Sequence, residues 1–349
     1  MRLALCAVQV PFVRGGAELH CDSIYRELIK REHEVEYIKI PYKWYPPQEI
    51  INHCLAWRLL DLTESNGKKI DGVIATKFPS YIIKHPNKVI WLLHQMRSAY
   101  DLANTSFDDF MPYGKIGDIV KQKIYTMDIT CLSESKKIYT NSQNVSNRLW
   151  KFNKIKGEAL YHPPPLMGRY FCDSYEDFIF YPSRLESVKR QDLIISSMQY
   201  LKNDIKLRIA GSGPQLESYR SLAKKYKVAD KVEFLGYVSD NELLENYSKC
   251  MCVAYVPFEE DMGYVTLESF LSKKPVITCN DSAGPLEFVE DGVNGYIAEP
   301  APEEIAASID KLYQDNIYKQ MGEKGYRKIK DMNLSWDNVI DKLIGPMKS

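Results

Sequence analysis

Two α/β domains in tandem, each a Rossmann-like doubly wound parallel sheet, are predicted from three observations. Short apolar runs alternate with longer amphipathic ones along nearly the whole chain, the pattern of parallel βα units. The alternation breaks at Pro163, Pro164 and Pro165, which fit neither a helix nor a central strand. The 349 residues, 45% hydrophobic and 26% charged, suffice for two hydrophobic cores.

In the first half, apolar runs at 3–8, 34–38, 72–75, 89–93 and 137–139 read as strands. Amphipathic runs at 17–30, 49–63 and 116–129 read as helices, and Ser142 caps a fourth. Residues 3–13 have the apolar character of a short signal peptide. Gln9, Pro11 and Arg14 interrupt them and no small-residue cleavage site follows, so a buried first strand is the better reading. Residues 161–171 read as the interdomain linker. Beyond it, strands at 178–182, 206–210, 231–236, 251–256 and 275–279 alternate with helices at 191–201, 215–226, 239–247 and 264–271. Three helices, 303–313, 317–329 and 335–343, close the chain.

The formal net charge is zero and leaves no footprint for nucleic acid. Its distribution is uneven: residues 1–165 carry 23 Lys and Arg against 17 Asp and Glu, and the remainder 23 against 29. A basic first half suits an anionic acceptor or peripheral contact with a membrane surface, and equally an ordinary solvated surface. Of eight cysteines only Cys250 and Cys252 stand close, completing no metal site, so all read as reduced thiols of a cytoplasmic protein. No apolar run reaches the length that spans a bilayer.

Candidate site residues fall at predicted strand ends, where ligands of such sheets gather. Gly15 and Gly16 follow the first strand and permit close backbone approach to a phosphate or sugar. They also suit an ordinary βα turn, and without a Gly-x-Gly-x-x-Gly pattern they do not indicate a dinucleotide dehydrogenase. His94 ends the run 89–93 and is either structural or a hydroxyl-binding group. Arg184 and Lys189 follow 178–182, where fixed cations could stabilise charge developing on a diphosphate leaving group. Gly211 and Gly213 relieve crowding at the next strand end, and the backbone near Gly236 and Tyr237 could hold a nucleobase edge.

The acidic stretch 257–268 enters a helix through Met262, Gly263, Tyr264 and Val265, with Glu260 and Glu268 eight residues apart. Two carboxylates could form a glycosidase acid and base pair, metal ligands with Glu259 and Asp261, or acceptors for sugar and ribose hydroxyls. The nearby cations and the helix start favour the last. A buried core role is disfavoured because unpaired buried acids are costly. Glu287 reads as an acid complementing a helix N-terminus.

Taken in order, Gly15-Gly16, His94, Arg184-x4-Lys189, Gly211-Ser-Gly213, Phe234-Leu-Gly-Tyr, Glu260-x7-Glu268 and Gly284-x-x-Glu287 resemble the retaining, nucleotide-sugar-dependent glycosyltransferases of family 4. The resemblance is strongest over 178–299 and thins before Gly157. It implies the GT-B fold: an acceptor-binding domain at 1–165, joined by the last helix within 333–349, and a donor-binding domain at 172–332 facing it across a central cleft. It implies that Arg184 and Lys189 bind the donor diphosphate, Glu268 the ribose, Glu260 and His94 the sugar, and Gly16 the β-phosphate. No metal and no cofactor beyond the nucleotide sugar are implied; the partners are a UDP- or GDP-linked donor and a glycan, lipid-linked or small-molecule acceptor. The location implied is the cytoplasm or the inner membrane face, and the role is cell-surface glycan assembly. A sugar-nucleotide epimerase, a phosphorylase and a non-catalytic nucleotide-binding partner are the alternatives. Two departures stand out: Asp261 adds a charge beside Glu260, and Gln95 follows His94 where an acid is frequent.

Overall fold

Strand β1 (Arg2–Gln9) shows how each sheet is covered on both faces. Ala4, Cys6 and Val8 face one apolar cluster and Leu3 and Leu5 another, all nearly inaccessible. The computed structural model describes residues 1–314 and 316–348 and divides into two units, Met1–Pro165 with Ser335–Ser349, and Leu166–Leu334. Asp315 and Ser349, inside the ranges 172–332 and 333–349 read from the sequence, lie outside the described residues.

The first unit continues with α1 (Gly16–Lys30), β2 (Glu34–Pro41), α2 (Gln48–Leu59), a hairpin of β3 (Glu64–Ser65) and β4 (Lys68–Lys69), and β5 (Gly72–Ala75). Then come β6 (Lys88–Leu92), α3 (Lys115–Ser133), β7 (Lys137–Thr140), α4 (Gln143–Asn153) and β8 (Glu158–Ala159). Among the described residues the strands pair in parallel in the order β2-β1-β5-β6-β7-β8. The Ser142 hydroxyl accepts from Val145 N at 3.1 Å and starts α4, as a serine N-cap does.

The second unit holds β9 (Glu176–Pro182), α5 (Gln191–Ser197), β10 (Lys206–Ala210), α6 (Leu216–Lys225), β11 (Val232–Gly236), α7 (Asp240–Lys249) and β12 (Cys250–Ala254). It ends with α8 (Tyr264–Leu271), β13 (Val276–Cys279), β14 (Gly295–Ala298), α9 (Pro302–Gln314) and α10 (Tyr318–Asp331). Its parallel order is β11-β10-β9-β12-β13-β14. The last helix, α11 (Trp336–Ile344), packs into the first unit. Its Val339, Ile340, Leu343 and Ile344 share a cluster with Leu3 and Leu5, while Asp337 pairs with Arg31 and Lys342 with Glu158.

Several expectations need correction. The helix read over 49–63 ends at Leu59, because the Asp61 carboxylate accepts from Thr63 N at 2.9 Å and the Thr63 hydroxyl at 2.6 Å and turns the chain. The helix read over 191–201 ends at Ser197, whose hydroxyl donates back to Ile194 O at 2.8 Å. Glu287 closes a short 3-10 turn, Gly284–Glu287, so it stands at no α-helix N-terminus. The hairpin and the short strands β8 and β14 were not anticipated. No helix among the described residues is long and apolar enough to cross a membrane.

Under α11 lies a buried pair of imidazoles. His162 Nδ1 donates to Pro163 O at 3.1 Å, leaving Nε2 to accept from His20 Nδ1 at 2.9 Å, with Trp91 and Trp336 packed around them. Burial holds His162 down at about 4, and burial followed by His162 itself holds His20 well below its ordinary value. Both are neutral in the folded chain at neutral pH. As pH falls below the ordinary value of 6.5, the unfolded chain binds protons that the folded chain refuses until about pH 4. The stability is therefore complete above that window and lost through it, by roughly 3 kcal/mol for His162 alone. Denaturant unfolding followed from neutral pH into the window should show this loss. A His162→Asn chain should show less of it, and an equal acid loss in both chains would contradict the assignment.

Candidate active site

In the second unit the strand order reverses between β9 and β12, the point where open α/β sheets form ligand crevices. The segments leaving these strands, 183–190 and 255–263, are laced together. Phe258 N donates to Val188 O at 2.8 Å. The buried Tyr181 donates its hydroxyl to Lys189 O and receives Val256 N at 3.3 Å. Arg190 donates to both carboxylate oxygens of Asp281, at 2.6 and 2.7 Å, and to Val256 O and Pro257 O at 2.8 and 3.0 Å. A planar guanidinium with several fixed donors suits this task, and it pins the base of the acidic loop.

On this frame the Lys189 ammonium donates to the Glu260 carboxylate and lies 3.4 Å from the Tyr255 hydroxyl. The two ionic side chains retain only 13% and 14% of their exposure, so neither charge is solvated well enough to stand without the other. Met262 is buried, Gly263 caps α8, and Tyr264 opens it. Val265 packs against the cluster that holds Phe178, Phe180 and Tyr247. Further along α8, Glu268 accepts from the Tyr247 hydroxyl at 2.7 Å; burial raises its pKa, and that hydroxyl opposes the rise. Both acids thus have partners within the unit, which corrects the premise that a buried acid here would be unpaired.

The turn 211–213 lies against the Arg184 segment. A Cβ on Gly211, whose φ is +136°, would stand 2.1 Å from Ser183 O, and one on Gly213 2.4 Å from Leu185 O. Leu185 N donates to Ser212 O at 3.0 Å, and Gln191 Nε2 donates to Arg184 O at 2.8 Å. Gly236 O accepts Gly211 N at 2.7 Å, with the exposed Tyr237 beside it. The Arg184 side chain, however, pairs with Glu186 at 2.7 Å.

The first unit has its own reversal, between β1 and β5. Gly15 precedes α1, but its N–H donates to Glu18 at 2.9 Å, and Glu18 pairs with Lys77 at 3.1 Å just beyond β5. The Gly15 amide is thus engaged by Glu18, and Gly16 begins the helix. His94 lies just beyond β6, with its Nδ1 donating to Gln95 O at 2.7 Å and its own carbonyl accepting from Phe78 N at 3.3 Å. Lys77, Tyr181 and Arg190 escaped the sequence reading, which placed Glu18 only in the first turn of a helix. Lys77 follows a strand end as Arg184 does, so its position was a usable signal; the long-range bonds of Tyr181 and Arg190 leave none. Among the described residues no group of three or more His, Cys, Asp or Glu side chains is placed to hold a metal ion.

The profile of the group 1 glycosyl transferases matches residues 170–328, nearly all of the second unit. An uncharacterized glycosyltransferase of Methanocaldococcus jannaschii is 24% identical over 100% of this chain and 98% of its own length. HepE of Anabaena, solved in complex with UDP and glucose, superposes with a TM-score of 0.70 over 99% of this chain and 100% of that one, at 16% identity. The chain is a glycosyltransferase with the GT-B fold. Human alpha-1,3/1,6-mannosyltransferase ALG2 is 34% identical over 33% of this chain and 29% of its own length.

Within the glycosyltransferase, Gly263 resists replacement on two grounds. Its φ is +81°, and a Cβ would stand 2.8 Å from the Tyr255 ring that flanks Lys189. Gly263→Ala should destabilise the protein by about 1–3 kcal/mol in denaturant unfolding. Unchanged stability would show that the loop relaxes freely.

Proposed function

We propose that this glycosyltransferase is a retaining, metal-independent enzyme of family 4. It takes its sugar from a UDP- or GDP-linked donor and passes it to a glycan, lipid-linked or small-molecule acceptor in cell-surface glycan assembly. The observation that carries the reading is the Lys189–Glu260 pair at the strand reversal of the second unit, on the loop that leads to Glu268. Breaking a sugar–phosphate bond leaves charge on the diphosphate, and a cation fixed beforehand stabilises that charge as it develops. Lys189, with Arg184 freed from Glu186, takes this role. Glu260 is the counter-ion of Lys189 until the diphosphate arrives, and then accepts from sugar hydroxyls.

Glu268 receives the ribose hydroxyls, and Gly211, Gly213, Gly236 and Tyr237 border the nucleotide. Met262, Gly263, Tyr264 and Val265 present the start of α8, while Gly16 approaches the phosphate and His94 the sugar. The acceptor oxygen bonds to the anomeric carbon on the face from which the phosphate leaves, and the departing phosphate oxygen takes the acceptor proton. The similarity to ALG2 supports retention, because that name specifies α-linkages, the outcome of retention from an α-linked nucleotide sugar. Contact with an anionic membrane is supported by exposed Met111, Ile116 and Ile119 beside exposed Lys115 and Lys123 in the first unit.

Calorimetry with UDP and GDP tests the diphosphate site. Lys189→Ala should weaken the preferred nucleotide by about 2 kcal/mol, the scale of a hydrogen bond to a charged group. Glu260→Gln should bind it at least as tightly while sugar transfer falls, because the competitor for Lys189 is gone. Unchanged affinity in Lys189→Ala rules the diphosphate role out. Turnover should also survive a chelator; activity lost on chelation and restored by a divalent ion would reject metal independence.

A further inference from the structure

Beneath His94 lies a buried ring of hydrogen bonds. Gln95 Nε2 donates to Asp128 Oδ2 at 3.1 Å and to Asn153 Oδ1 at 2.9 Å. Asn153 Nδ2 donates to the Tyr100 hydroxyl at 3.2 Å, and that hydroxyl donates to Asp128 Oδ2 at 2.7 Å, closing the ring. The Tyr81 hydroxyl supplies Asp128 Oδ1 at 2.9 Å. Asp128 is fully inaccessible, and Gln95 and Asn153 are buried. Every partner of the carboxylate is a donor, so the ring is built around an acceptor-only group. Burial pushes Asp128 up to about 6, opposed by Tyr100, Tyr81 and Gln95, which leaves it mainly ionised at neutral pH.

This accounts for an amide at position 95. Glutamine donates two hydrogens, one to Asp128 and one to Asn153; an acid would set a second carboxylate against the first and present oxygen to the Asn153 oxygen. The same residue governs His94 from its other side. The main-chain carbonyl oxygen of Gln95 only accepts, so its 2.7 Å contact places the proton on His94 Nδ1 and makes Nε2 the acceptor nitrogen.

We propose that Gln95 is a positioning residue for sugar transfer. With its side chain anchored by Asp128 and Asn153, it holds its main-chain carbonyl where that oxygen fixes His94 in the Nδ1–H tautomer, so that Nε2 accepts from a hydroxyl of the substrate. The consequence for catalysis rests on the placement of His94 at the sugar; the tautomer does not.

The test combines two readouts on the full chain. Nitrogen-15 histidine NMR, with the His94 signals identified by their loss in His94→Asn, should show Nδ1 protonated and Nε2 unprotonated in the wild type at neutral pH. Gln95→Leu, confirmed folded by circular dichroism, should shift His94 toward a tautomer mixture. It should also lower kcat for hydrolysis of UDP-glucose or GDP-mannose roughly tenfold to a hundredfold, with KM moved far less. An Nε2–H tautomer in the wild type overturns the inference without any variant. Wild-type tautomer and kcat in Gln95→Leu overturn the positioning role, whereas wild-type hydrolysis in His94→Ala overturns the placement of His94 itself.

Discussion

A lysine ammonium held against a carboxylate at the carboxyl end of a central strand is the constraint on which the second unit turns. With both side chains largely withdrawn from water, Lys189 and Glu260 neutralise each other, and removing either strands a charge where solvent cannot compensate it. The proposed function has the donor diphosphate, with more negative charge than one carboxylate, displace Glu260 from this pair. On the proposed reading, this resting ion pair occupies the diphosphate site until its ligand arrives.

The pair holds its place because the backbone beneath it is fixed at several points. Tyr181 reaches from β9 to Lys189 O, Arg190 clamps the start of the acidic loop to Asp281, and Gly263 lets that loop turn beneath the Tyr255 ring into α8. The glycines at 211 and 213 do the same for Arg184 by letting two backbone segments touch. Packing, hydrogen bonding and backbone freedom thus converge on one strand reversal. In the first unit the analogous reversal is spanned by Glu18 and Lys77, so its glycine turn is already partly engaged.

Much of this was legible in the residues. Period and punctuation located the long strands and helices, because apolar runs such as 72–75 and 251–256 are buried on both faces and carry few polar residues. Boundaries failed where side chains redirected the backbone: Asp61 ended α2 early and Ser197 ended α5. Strands of two residues, such as β8, carry no periodicity to read. In the site, the identities of Lys189, Glu260 and Glu268 could be read, but their partners could not. The bonds from Glu268 to Tyr247 and from Arg190 to Asp281 join residues 21 and 91 positions apart, and only the fold brings them together.

The central claim is that Lys189 exchanges Glu260 for the donor diphosphate. The most direct measurement is a crystal structure of the protein soaked with UDP or GDP. The account predicts a phosphate oxygen within hydrogen-bond distance of Lys189 Nζ and the Glu260 carboxylate turned away from it. A nucleotide bound elsewhere, with the Lys189–Glu260 pair intact, would contradict it.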